Sequence, residues 1–97
     1  MVVGVVVCEL HLPQSRSLKD KRRVVKSLIE KTHQRFRAST SETDFHDLLQ
    51  RAEISIAVVG REDGEVEGLL ESIRSLFEEA LEAYVTRWDN QLLEVER

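Results

Sequence analysis

The chain opens with Met1-Val2-Val3-Gly4-Val5-Val6-Val7-Cys8-Glu9-Leu10-His11-Leu12, and this run constrains the fold more than any other. Its length and β-branched composition favour a strand, because a branched Cβ loses rotamer freedom against a helical turn but packs well on a pleated surface. The apolar part is too short to cross a bilayer, lacks a basic leader and ends at Glu9, so it reads as neither signal peptide nor anchor. Side chains alternate along a strand. If Leu10 and Leu12 face a core, Val3, Val5, Val7, Glu9 and His11 point from the opposite face, which is then apolar at one end. An uncovered row of valines on so small a protein suggests self-association, so Val3, Val5 and Val7 are the expected contacts of a homo-oligomer. The alternative is that the final segment or the loop at Phe45 folds over them.

Pro13-Gln14-Ser15-Arg16 reads as a loop, since proline has no N–H to give to a sheet. Ser17 stands at an N-cap position with Asp20 three residues on, a variant of the capping box. In the helix that follows, Leu18, Val25, Leu28, Ile29 and Thr32 gather on one side, and Lys19, Arg22, Arg23, Lys26 and His33 on another. Phe36 to Thr43 loses that period and is read as a second strand, joined through Asp44-Phe45-His46-Asp47 and a short helical turn over Leu48 to Arg51. Alternation of Ile54, Ile56 and Val58 marks a third strand over Ala52 to Val59. A turn at Gly60 to Gly64 precedes a second helix carrying Val66, Leu69, Leu70, Ile73, Leu76, Phe77 and Ala80 at helical spacing. A last strand falls within Tyr84 to Val95. This order predicts a single domain over residues 1–97 of the α+β class, a ferredoxin-like β-α-β-β-α-β sandwich. It has a four-stranded antiparallel sheet with two helices on one face, and right-handed crossovers put the first and third strands in the middle.

Charge is segregated along this framework. Residues 16–37 hold nine of the fourteen Lys and Arg residues and only two acids, Asp20 and Glu30, whereas the whole chain carries a net charge of -4. A charge run on a helix is usually a solvated face. Here, however, Lys19, Lys21, Arg22 and Arg23 occupy the first turns, where the helix dipole is positive and cations are mildly unfavourable, so stability alone does not account for them. Lys21 falls on the apolar side, where its methylenes can lie along the edge of the core. Arg16, Lys19, Arg22, Arg23 and Lys26 are therefore the candidate contacts for an anionic partner.

Ser17-Leu18-Lys19-Asp20-Lys21-Arg22-Arg23-Val24-Val25-Lys26-Ser27-Leu28, then Arg35-Phe36 and Asp47-Leu48-Leu49-Gln50-Arg51-Ala52, resemble the YlxP-like family of small bacterial domains of unknown function. The likeness spans nearly the whole chain; the first block is its specific part, and Ala57-Val58-Val59-Gly60 is compatible but common. Leu49, where relatives often carry an aromatic residue, and the polar second strand depart from the pattern at positions that bear on packing and the sheet edge. The resemblance implies a ferredoxin-like fold, a bacterial cytoplasmic setting, and genes lying among translation and ribosome-maturation factors. It implies no activity. RNA or the small ribosomal subunit is the partner expected from that genomic company together with the basic helix.

Other chemistries find little support. The first and third strands have no aromatics for base stacking, and Gly60-Arg61-Glu62-Asp63-Gly64 has neither the spacing nor the charge of a G-x-x-G clamp, so contacts to phosphates are expected instead. His11, His33 and His46 stand apart with no catalytic pattern around them, so no enzyme activity is expected. Asp44, His46 and Asp47 read as a polar loop, and no metal or cofactor is expected. His33 is assigned to the helix dipole or solvent, and Trp88 to the core or an interface. Cys8, the single cysteine, reads as a small buried hydrophobe in a reducing cytosol. The competing reading is a protein–protein interaction module in which the same cations meet carboxylates.

Overall fold

In the computed structural model, which describes residues 1–96, the order is β1 (Val2–His11), α1 (Leu18–Phe36), β2 (Ser39–Asp44), β3 (Arg51–Gly60), α2 (Asp63–Glu78) and β4 (Tyr84–Glu94). The four strands form one antiparallel sheet in the order β2-β3-β1-β4, with β1 and β3 central as the crossover rule requires. This is the α+β, ferredoxin-like layout that the sequence predicts.

Strand alternation decides where the core lies. Val2, Val6, Cys8 and Leu10 of β1 and Ala52, Ile54, Ile56 and Val58 of β3 are buried on the face covered by the helices. They meet Val25 and Leu28 of α1 and Val66, Leu70, Ile73, Leu76 and Phe77 of α2. Each such aliphatic side chain contributes about 1.5–3 kcal/mol on full burial, so the helical period of α2 and the two-residue period of β1 and β3 reinforce one another. Close approach of α2 needs Gly4, because a Cβ there would lie 2.5 Å from Val66 Cγ1. The helix side has no room for another methyl. Phe77 meets Trp88 edge to face with centroids 6.0 Å apart, which places the tryptophan at the margin of this core.

Three boundaries differ from those expected. The first helix continues through Phe36 and ends at Arg37, whose left-handed backbone (φ 53) lets its N–H donate to the His33 carbonyl, so β2 starts only at Ser39. No helical turn forms over Leu48 to Arg51; Gln50 instead accepts from the Leu12 N–H at 2.9 Å, and Arg51 already belongs to β3. The second helix begins inside the expected turn, at Asp63, and the Glu65 side chain reaches back to accept from the Arg61 N–H at 3.3 Å.

Candidate nucleic-acid interface

The basic helix is set by its cap. Ser17 has extended backbone, its hydroxyl accepts from the Asp20 N–H at 3.1 Å, and the Asp20 carboxylate accepts from the Arg16 N–H, also at 3.1 Å. These bonds satisfy donors the first turn leaves open and fix the direction in which α1 leaves the loop. Lys21, Val25, Leu28 and Thr32 are then buried. Arg16, Lys19, Arg22, Arg23 and Lys26 are all exposed.

The candidate cations are not equivalent. Arg23 is tied to Glu82, just beyond α2, at 3.1 Å, and Lys26 lies 3.9 Å from Glu30 on its own helix. Arg16, Lys19 and Arg22 have no acidic side-chain partner among the described residues. Exposed pairs such as Lys26 with Glu30 contribute little and yield readily to a phosphate, but Arg23 would have to leave a carboxylate that faces it well. A cleft of about 160 Å³ beside Arg23 is lined by Gln14, Ser15, Asp20 and Glu82. Its two carboxylates oppose a phosphate there, and Arg16, Lys19, Arg22 and Lys26 do not line it.

Lys21 departs furthest from the surface its charge suggests. Only 2% of it is exposed; its ammonium donates to the Phe45 carbonyl at 2.5 Å and the His46 carbonyl at 3.5 Å, and lies 3.0 Å from Glu42 Oε2. The side chain is buried along its whole length, and the charge serves an internal purpose. It ties α1 to the end of β2 and to the following loop, where Phe45 has a left-handed backbone (φ 62) uncommon for a bulky residue. Phe45 is held from the other side by Arg51, whose guanidinium stacks 3.9 Å over its ring and bonds Glu9 at 2.9 Å. That bond from Arg51 draws the Glu9 carboxyl below the usual carboxylate range and raises the arginine. A sequence signal for the buried pair does exist: Lys21 sits on the apolar side of its helix, and Glu42 alternates with the buried Thr40 on β2. Only the fold brings them together.

The histidines serve local structure. His33 is exposed in the last turn of α1, and its Nε2 accepts from the Thr40 N–H at 3.2 Å, joining α1 to β2; His11 Nδ1 is 3.1 Å from the Gln50 carbonyl, and His46 Nε2 is 3.2 Å from the Glu42 carbonyl. No group of three or more His, Cys, Asp or Glu among the described residues is placed to hold a metal. Cys8 is fully buried, and desolvation pushes its thiol up to about 12 despite Arg74 nearby. No helix among the described residues is long and apolar enough to cross a membrane.

Val3, Val5 and Val7 are partly exposed on the face away from the helices. Neither expected cover lies over them: the final segment pairs as β4 at the sheet edge, and Phe45 is held at the Glu9 end.

Comparison with known proteins gives this arrangement a family without an activity. The chain is 28% identical over 88 residues, 89% of its own length and 96% of the relative's, to a Bacillus subtilis (strain 168) protein described as "Uncharacterized protein YlxP". The family model described as "Protein of unknown function (DUF503)" matches residues 3–90, and the chain belongs to that family.

Proposed function

We propose that the protein is a binding module for RNA phosphates, engaging them with the outer face of α1 through Arg16, Lys19, Arg22 and Lys26, with Arg23 joining where Glu82 releases it. One observation carries this reading: Arg16, Lys19 and Arg22, exposed and without acidic side-chain partners among the described residues, stand at the N-terminal end of the helix, where its own dipole opposes them. The free energy foregone is a few tenths of a kcal/mol per exposed cation, which a partner bearing negative charge returns on binding. The acidic surface of α2, with Glu65, Glu67, Glu71 and Glu78 exposed, turns a polyanion toward α1. Recognition is of backbone without sequence, in a cytoplasmic protein, with ribosomal RNA as the natural polymer to test. It calls for no catalytic group and no cofactor.

The test is fluorescence anisotropy with a short single-stranded RNA over a salt series, paired with sedimentation of the protein with ribosomal subunits. Neutralising about four phosphates gives a slope of log affinity on log salt near −2.8 for a single strand, and each Lys or Arg to Ala change removes about 0.7. The double variant Lys19→Glu, Arg22→Glu should lose RNA binding while keeping the parent's thermal midpoint. A folded double variant that binds RNA and subunits like the parent would refute the reading. Retention of an acidic protein partner, with no affinity for RNA, would instead favour the interaction-module alternative.

A further inference from the structure

The described residues include eight large hydrophobic side chains that are exposed, and four of them, Met1, Val59, Leu93 and Val95, converge on one end of the sheet face away from the helices. The register explains why. Val3 is directly opposite Val59 on β3 and Leu93 on β4, and cross-strand partners share a face. The Val95 N–H donates to the Met1 carbonyl at 2.9 Å, extending the same row by one step, while Val5 opposite Ala57 continues it inward. This patch is continuous across the two central strands and one edge strand.

The remainder of the face is polar but nearly balanced. Arg51 and Arg87 stand against Glu9, Glu53 and Asp89, two cations and three anions, and Arg51–Glu9 and Arg87–Asp89 are already ion pairs within the chain. The outer faces of α1 and α2, by contrast, are each dominated by one sign, cations on α1 despite Glu30 and glutamates on α2 despite Arg74. A surface that meets its own copy meets its own charge, so only a face with almost no net charge suits a two-fold contact.

We infer that this face closes against the same face of a second copy, forming a two-fold sheet-on-sheet dimer centred on Val3, Val5, Ala57, Val59 and Leu93. Four strands at about 4.8 Å spacing and ten residues at about 3.3 Å rise give a face of roughly 600 Å² in projection. Its accessible area is larger because side chains project from it, which brings each partner toward the roughly 800 Å² of a standard interface. Sheets packed in this way stand about 10 Å apart, the spacing that interdigitated Val and Leu side chains fill. Each copy keeps α1 on the outside, so the contact is independent of the RNA reading.

The experiment is sedimentation velocity and equilibrium on the full chain from low to high micromolar concentration, at low and moderate salt, with Val59→Glu and Leu93→Glu. Both positions are exposed in a single copy, at 63% and 42%, so the substitutions spare its fold, as circular dichroism would verify. The parent should be a dimer whose constant is maintained or tightened by salt, and each variant should dissociate about 100-fold more easily, as expected for a carboxylate forced into an apolar contact. A parent that stays monomeric at high micromolar concentration overturns the inference. So does a dimer that both variants leave intact, one that salt abolishes, as an α1-to-α2 contact would be, or a monomer that co-sediments with phosphatidylcholine vesicles through Val59 and Leu93.

Discussion

Replacing Lys21 with methionine keeps most of the buried stem and removes only the charge, which isolates what the ammonium does. Without it the Phe45 and His46 carbonyls lose a donor, and Glu42 Oε2, which is buried with no well-aligned hydrogen-bond donor, loses the cation 3.0 Å away. Removing one member of a buried ion pair costs about 3–5 kcal/mol, chiefly because the other charge remains unpaired. Glu42 is 19% exposed, so water can recover part of that loss, and we expect about 2–4 kcal/mol for Lys21→Met. Glu42→Gln should cost less, about 1–2 kcal/mol, since the ammonium keeps both carbonyl acceptors and the amide oxygen can still accept from it. The sharper test is Lys21→Met, Glu42→Gln. With both charges gone, its cost should fall below the sum of the singles by at least about 1.5 kcal/mol, because neither charge is left behind. Urea denaturation monitored by circular dichroism measures all four corners of the cycle. Hydrogen exchange should show faster opening of residues 45–50 in the single Lys21 variant, where Phe45 no longer has the bonds that hold its left-handed backbone. A Lys21→Met variant within about 0.5 kcal/mol of the parent, or singles that simply add, would show that the ammonium stabilises neither Glu42 nor the loop.

Gly4→Ala should destabilise the protein by about 1–3 kcal/mol in the same urea assay, because the new Cβ meets Val66 Cγ1 at 2.5 Å and α2 must shift; a neutral result would refute the tight approach of α2 to β1. For Cys8, native protein should resist alkylation at neutral pH and react only on unfolding. The folded thiol near 12 stays protonated where the unfolded thiol, with its ordinary value of 9.0, ionises, so its contribution to stability is complete below pH 9.0 and falls as pH rises toward 12. The slope is about 1.4 kcal/mol per pH unit, and the difference between parent and Cys8→Ala stability curves across that window measures it. Glu9 has the opposite sign. Its carboxyl is held below the ordinary 4.5, so its contribution is present above that value and is lost as pH falls through the folded one; Arg51→Ala should remove this acid-side dependence in a pH series of thermal midpoints.

Much of the fold was legible because several periods agree. β1 and β3 alternate, α2 repeats its apolar residues at helical spacing, and Ser17 with Asp20 marks the start of α1 where the cap forms. The misplaced boundaries lie where an ordinary residue does what a glycine or a longer-range partner usually signals. Arg37 closes α1 in a left-handed conformation without being glycine, so nothing local separates Phe36 from β2. Gln50 turns toward Pro13 and Ser15 as well as Leu12, giving the chain at 48–51 hydrogen bonds that compete with a helical turn. The role of His33 depends on Thr40, which reaches its ring only after the chain reverses at Arg37 and Ala38.

The same limit applies to charge, and it alters how the basic segment is understood. Counting the cations of residues 16–37 treats each as a contributor to one field, yet the fold gives them different tasks. Lys21 is withdrawn to hold the loop after β2, Arg23 bridges to Glu82 across the two helices, and Arg16, Lys19 and Arg22 remain without acidic partners among the described residues. A buried ammonium bonded to two backbone carbonyls cannot reach a phosphate, and moving it would expose Glu42 to the cost already estimated. The cation at the most specific part of the family resemblance therefore belongs to the architecture, while its immediate neighbours form the proposed contact surface. Stability and RNA affinity should accordingly separate within three consecutive residues. Lys21→Met should lower the first with little direct effect on the salt slope, Arg22→Ala should flatten the slope by about 0.7 with stability unchanged, and Arg23→Ala should do less to the slope because Glu82 is freed at the same time.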